Sequence, residues 1–83
     1  MDKDQQSHFQ TIAFHGERMR ELRQTQGISA DRLGKITDLT TRHIYRLERN
    51  ERPNTRGVTV ARLAVALGTT TDFLLGLTDD PSP

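Results

Sequence analysis

TDLTTRHIYRLER, residues 37–49, predicts a turn followed by a helix, and the rest of the chain is interpreted from it. On a helix of 3.6 residues per turn, Ile44 and Leu47 fall on the same side as Thr40. Thr40 is a suitable N-cap because its hydroxyl can accept a backbone N–H of the first turn. Asn50 suits the position after the helix, where a left-handed backbone is needed. The pattern therefore predicts a helix over 40–49 with one buried face.

The opposite face of this helix is rich in arginine. Arg42, Arg46 and Arg49 fall together there, and Tyr45 flanks them. A charged helix face is usually only solvated, but such faces normally alternate basic and acidic residues, and this one is nearly all arginine. The whole chain has a net charge of only +1, yet residues 16–56 contain ten basic and six acidic side chains. A local basic field of this kind can steer a polyanion, so the face predicts an anionic partner.

Size and composition limit the class of protein. A chain of 83 residues with 33% hydrophobic residues predicts one small domain, for which a subunit contact would help stability. The absence of cysteine excludes disulfides and cysteine-ligated metals, and we expect no metal or cofactor. No apolar run approaches the roughly 18 residues that a membrane span needs. The opening MDKDQQSH does not resemble a signal peptide, so the expected location is the cytoplasm.

The remaining segments predict an all-α domain without strands. Helices are expected over 17–25, 30–37, 58–67 and 71–77, ended by turn formers such as Gly27 and Gly68. Leu33 and Ile36 are predicted to face inward, and Gly34 to admit a closely crossing helix. We expect 1–13 to be an arm, partly disordered or a short extra helix around Phe9 and Ile12. The domain itself covers 14–77, and 78–83 form a disordered tail.

Two further side-chain groups break the simple inside–outside pattern. Arg23 and Glu48 each lie beside the inward stripe of their helix, and an unpaired buried charge is costly. We therefore predict a salt bridge that joins the first and third helices. The last helix is apolar on more than one side, so part of it is predicted to face something beyond the core, either a second subunit or the N-terminal arm. The candidate dimer residues are Phe73, Leu74 and Leu77.

At this point the sequence resembles the Cro/C1-type helix-turn-helix family of DNA-binding proteins, also called the xenobiotic-response-element type. The resemblance rests on GERMRELRQTQGIS, LGKITDLTTRHIYRLERN and VARLAVALGTTTDFLLG, in that order, and runs from Phe14 to Leu77. It implies a compact, lambda repressor-like bundle of five helices whose third helix enters the DNA major groove. The family's inter-helix Arg–Glu pair matches Arg23 and Glu48.

The resemblance also implies a role for each exposed residue around the third helix. Thr41 and Arg42 would meet base edges, and Tyr45 and Arg46 would reach bases or the adjacent backbone. His43 would lie at the rim. The residues expected near phosphates are Ser29, Thr40, Arg49, Arg52 and Arg56. Ala30 and Asp38 depart from the family's common Gln and Gly, which bears on affinity more than on the fold.

Two hypotheses about function follow. The leading one is a sequence-specific transcriptional regulator, more specifically a repressor, that binds a palindromic operator as a homodimer and shows no small-molecule effector site. The alternative is a protein-interaction module, such as an antitoxin or assembly subunit, that uses the same fold. An enzyme is not expected, because the sequence contains no nucleophile–base pair or glycine-rich phosphate loop, and its three histidines have no mutual helical spacing.

Overall fold

The computed structural model describes residues 12–52 and 54–83, and this part of the chain contains five helices and no strand. They are α1 (Gly16–Thr25), α2 (Ala30–Thr37), α3 (Thr41–Glu48), α4 (Gly57–Leu67) and α5 (Thr71–Leu74). The predicted all-α bundle of five helices is confirmed. The predicted extra helix around Phe9 lies largely outside the described residues, and Ile12 is not helical.

Three helix starts follow local chemistry, as the sequence predicted, whereas the last helix, predicted over 71–77, ends at Leu74. The hydroxyls of Ser29, Thr40 and Thr70 each accept a backbone N–H three residues on, at 3.0 Å, and so cap α2, α3 and α5. Asp38 and Asn50 follow α2 and α3 with φ angles of 62° and 61°. Short polar side chains tolerate this left-handed backbone better than other non-glycine residues do.

The core is built from one stripe of each helix. It contains Phe14, Met19, Ala30, Leu33, Ile44, Leu47, Val60, Leu63, Ala64, Leu67 and Leu74. The prediction that Ile36 faces inward is wrong, because 53% of this residue is exposed. The buried residues of α2 are Ala30, Leu33, Gly34 and Thr37, which follow the spacing of one helix face. Ile36 lies off that face.

Gly34 is required by a close approach, although not by the crossing helix that was predicted. A Cβ at this position would lie 2.5 Å from the carbonyl oxygen of Leu39, in the turn after α2. Real Cβ atoms do not approach oxygen this closely, so the turn can fold back only over a glycine. The turn that leads into α3 is therefore packed directly on α2.

The predicted Arg23–Glu48 salt bridge is present between α1 and α3. Arg23 Nε donates to Glu48 Oε2 at 2.6 Å, and Arg23 Nη2 donates to Glu48 Oε1 at 3.1 Å. Both side chains are nearly buried, and a further guanidinium N–H donates to the carbonyl of Ile28. The bond to Glu48 raises the pKa of Arg23 above its usual value. The pair fixes α3 relative to α1.

The surface predicted for dimer contact on the last helix is largely used within the chain. Leu74 is 0% exposed and belongs to the core, so its assignment to a dimer interface is wrong. The helix is only four residues long, and this leucine is the residue that anchors it. Phe73 is half-buried, with the Arg18 guanidinium 4.4 Å from its ring centroid. Leu77 remains 43% exposed.

The predicted disordered tail has defined contacts in the structure. Arg18 donates to the carbonyl oxygen of Thr78 at 2.6 Å and to the carboxylate of Asp79 at 2.7 Å. The Thr69 hydroxyl donates to the carbonyl of Pro81 at 2.6 Å. Residues 78–83 therefore lie along the side of the bundle formed by α1 and the α4–α5 turn. A polar sequence without apolar spacing gave no sign of these long-range bonds.

Candidate nucleic-acid interface

Helices α2 and α3, with the turn between them, form a helix-turn-helix. The left-handed Asp38 reverses the chain, and the N–H of Leu39 donates to the carbonyl of Gly34 at 2.7 Å. Thr40 then starts α3 directly. Ile44 and Leu47 bury one side of α3, which leaves the other side on the surface. The predicted turn and helix are both present.

The first turns of α2 and α3 are joined at the surface. The Thr41 hydroxyl donates to Asp31 Oδ1 at 3.1 Å, and Lys35 lies 3.3 Å from the other oxygen of Asp31. The bonds from Lys35 and, next, Thr41 lower the pKa of Asp31. Ser29 caps α2 two residues before Asp31, so it lies at the same end of the motif. The sequence analysis did not identify Asp31 as a member of this surface.

Exposed residues of α3 include most of those predicted from the helix period. Arg42 is exposed, Tyr45 is 45% exposed, and His43 is half-buried. Thr40 is exposed, although its hydroxyl oxygen already accepts the His43 N–H as a helix cap. Its hydroxyl hydrogen can still be donated outward. The α3 face therefore presents the exposed Arg42 side chain with polar and aromatic neighbours.

Arg46 and Arg49 share a single acidic partner. Arg49 Nε donates to Glu51 Oε2 at 2.6 Å, and Arg46 Nε lies 3.5 Å from Glu51 Oε1. Arg49 and then Arg46 lower the pKa of Glu51. The predicted arginine-only face is therefore an arginine pair bridged by a carboxylate. Helical spacing did not reveal Glu51, because that residue lies beyond the end of the helix.

The end of α3 explains how Glu51 reaches back. The Glu51 N–H donates to the carbonyl of Arg46 at 3.0 Å, and the Asn50 N–H donates to that of Leu47 at 3.1 Å. This pair of bonds around a left-handed residue is a Schellman motif. The motif turns the chain over the last turn of α3 and directs the Glu51 side chain to its arginines.

The loop after α3 carries the last two predicted phosphate contacts. Arg52 and Arg56 are exposed and line an open cleft of about 390 Å³. The other residues that line this cleft are His43, Glu51, Asn54, Thr55 and Thr59. The cleft adjoins the start of α4, where unpaired backbone N–H groups favour an anion. The structure thus brings Arg52 and Arg56 together with His43 of α3 at this cleft.

Two other kinds of site are absent from the part of the chain that the structure describes. Within residues 12–52 and 54–83, no group of three His, Asp or Glu side chains could hold a metal ion. Across these same ranges, no helix has the length and apolar character to cross a membrane. The Arg23–Glu48 bridge lies behind the surface and holds α3 from within.

Comparison with known proteins agrees with this geometry. A family model described as a helix-turn-helix domain matches residues 16–74. A search of curated proteins finds no match. The P22 c2 repressor, solved in complex with a synthetic operator, is 33% identical with a TM-score of 0.68. That match covers 72% of this chain and 89% of the repressor.

Two further solved structures share the fold at lower identity. SinR, described as the master regulator for biofilm formation and solved in complex with DNA, is 22% identical with a TM-score of 0.68. The match covers 72% of this chain and 95% of SinR. A chain of the SinR–SinI complex is 22% identical with a TM-score of 0.67, and the match covers 72% of this chain and 58% of that chain. The similarities are to regulators and not to enzymes, in agreement with the sequence analysis.

Proposed function

Because this chain belongs to the helix-turn-helix domain family, we propose that it is a sequence-specific DNA-binding transcriptional regulator that acts as a repressor. The observation that carries the proposal is the exposed side of α3, which presents Arg42 on a helix held from behind by the Arg23–Glu48 bridge. A rigid helix of this width fits the major groove of B-form DNA. The 33% identity to a repressor solved with its operator supports the same function.

We propose that the first turn of α3 reads bases. Thr41 and Arg42 are the first outward residues of the helix, and Arg can bond guanine O6 and N7 with two hydrogen bonds. Such a contact discriminates between bases by about 1–3 kcal/mol. Tyr45 and Arg46, one turn on, reach bases or the neighbouring backbone.

Phosphate contacts would set the register of the protein on DNA. The residues proposed for this role flank α3 on both sides, and they are Ser29, Thr40, Arg49, Arg52 and Arg56, with His43 at the rim. Contacts of this type add affinity that falls with salt and carry no sequence information. Base and phosphate contacts can therefore be separated by experiment.

A single small motif reads few base pairs, so we propose that two copies bind a palindromic operator. The half-sites would lie about 34 Å apart, or a multiple of that distance.

Leu74 is buried and Phe73 is covered by Arg18, so the last helix offers little free apolar surface. Exposed apolar residues are concentrated on a surface that we call the α4 stripe, made of Ile36, Val58, Ala61 and Val65. We infer that the second copy packs there.

Selection of bound duplexes from a random DNA pool tests the proposal. The expected result is an enriched two-fold symmetric sequence with half-sites one helical turn apart. Arg42→Ala should relax base preference at one position in each half-site, and Arg49→Ala should weaken binding to all sequences alike. Equal binding profiles for the two variants would contradict this division of roles.

The same measurement separates DNA binding from the alternative hypothesis. The exposed α4 stripe could equally hold another protein, as in an antitoxin or assembly subunit. A protein of that kind would show no preference for any selected duplex over a random one at physiological salt. Such a result would reject the proposed regulator and favour the protein-interaction module.

A further inference from the structure

Glu51 occupies an unusual position for an acidic residue next to a DNA-facing helix. Its backbone is fixed by the Schellman motif at the end of α3, and its carboxylate contacts Arg49 at 2.6 Å and Arg46 at 3.5 Å. The Glu51 side chain is 43% exposed, so it lies at the surface and not behind it. A phosphate that approaches either guanidinium group must therefore compete with this carboxylate.

We propose that Glu51 is a specificity-determining residue, which suppresses binding to DNA of arbitrary sequence by competing with phosphates for Arg46 and Arg49. This inference rests on the proposed function. It assigns to Glu51 a role opposite to that of the arginines, because the carboxylate opposes DNA binding in general. Its benefit is a larger ratio of the affinity for the correct sequence to the affinity for incorrect sequences.

The physical basis is the difference between the two kinds of DNA contact. Phosphates are charged and occur in every sequence, so a carboxylate beside them raises the free energy of every complex. Base edges are neutral, and their hydrogen bonds to an arginine depend on sequence. A fixed negative charge therefore raises the free energy most for the complexes that are held mainly by phosphate contacts.

The contacts of Glu51 are suited to exchange. Exposed ion pairs contribute little to folding stability, so DNA can displace the carboxylate without disturbing the bundle. The carboxylate is charged at neutral pH, and Arg49 and then Arg46 lower the pKa of Glu51 below its ordinary value. Both arginines remain partly exposed, at 58% and 36%, and can move to a ligand.

The test compares wild type with Glu51→Gln, which removes the charge and keeps the size of the side chain. The probes are the duplex recovered by selection and a shuffled duplex of the same length and composition, each titrated over a range of salt. Glu51→Gln is expected to raise affinity for the shuffled duplex about tenfold and for the selected duplex less. For the shuffled duplex, the slope of log affinity against log salt concentration should become steeper by about 0.9, which corresponds to one more neutralised phosphate.

Glu21→Gln is the matched control, because it makes the same change on the exposed surface of α1, beside Phe73 and Asp79. Circular dichroism of both variants verifies that they fold. If wild type prefers the selected duplex and Glu51→Gln shows the same ratio of selected to shuffled affinity, this inference alone is overturned. A wild type without sequence preference would overturn the proposed function and this inference with it.

Discussion

The side-chain oxygen of Asn50 accepts a 2.7 Å hydrogen bond from the backbone N–H of Gly16, 34 residues earlier in the chain. His15, which precedes α1, supplies no side-chain cap to that helix. Asn50 therefore acts as the cap from the far end of α3, and its amide nitrogen donates to Glu17 at 2.9 Å. A Cβ on Gly16 would collide with the carbonyl of Leu47, so only glycine permits this approach.

Substitutions of Asn50 should separate its two roles. Asn50→Gly keeps the left-handed turn and loses the cap, so we expect a loss of about 1 kcal/mol in the free energy of unfolding. Asn50→Ala loses the cap and strains a φ of 61°, which should cost about 1–2 kcal/mol more. Urea denaturation of both variants measures the difference. Equal stability of Asn50→Gly and wild type would show that the cap contributes nothing.

The Arg23–Glu48 bridge should be costly to break from one side. Arg23→Ala or Glu48→Ala would leave the other charge nearly buried and unpaired, with an expected loss of about 3–5 kcal/mol. The double replacement Arg23→Met with Glu48→Leu is the control, because it removes both charges and retains volume. Chemical denaturation should find the double variant more stable than either single alanine variant. A double variant no more stable than the single alanine variants would contradict the pairing.

Glu17 should make stability depend on pH in the acid range. The hydrogen bond from Asn50, followed by the bond from its own backbone N–H, lowers the pKa of Glu17 below its ordinary value of 4.5. Because the pKa is lower in the folded state, ionised Glu17 stabilises the protein at pH values above the pKa of the unfolded state. This contribution is lost as the pH falls through the pKa of the folded state. The loss therefore occurs below about pH 4.5.

Glu17→Gln tests this dependence. We expect the variant to be less stable than wild type at pH 7, by under about 1 kcal/mol because the side chain is exposed. The two proteins should become equally stable in strong acid. Thermal unfolding from pH 7 to pH 2.5 measures both effects, with Glu21→Gln on the same helix as the control. A constant difference across this range would reject the assignment.

Two aspartate substitutions distinguish the candidate dimer surfaces. Val65 is 83% exposed in the α4 stripe, whereas Leu77 of the last turn is 43% exposed. Burial of a valine side chain in a subunit contact contributes about 1.5–3 kcal/mol. Val65→Asp should therefore weaken dimer formation by at least about tenfold, and Leu77→Asp should weaken it less. Sedimentation with and without operator DNA provides the measurement, and the reverse order would move the dimer contact to the last helix.

The amino-acid sequence by itself determined which segments are helical and how the helices of the helix-turn-helix begin and end. Thr40 caps α3, and Asp38 and Asn50 adopt left-handed backbone, because these effects depend on side chains within a few residues. The Arg23–Glu48 pair could also be predicted, since a charge beside a buried stripe requires an opposite charge. The exposed position of Arg42 followed from the helix period alone.

Only the tertiary structure decided which apolar residues are free and which arginines are paired. Leu74 is buried and Ile36 is exposed because the packing of neighbouring helices determines which face of a short helix is covered. Asn50 caps a helix 34 residues away. Such a contact depends on the relative positions of whole segments, because helical periodicity describes one element at a time. Glu51 reaches Arg46 and Arg49 through the turn that ends α3, where that periodicity no longer applies.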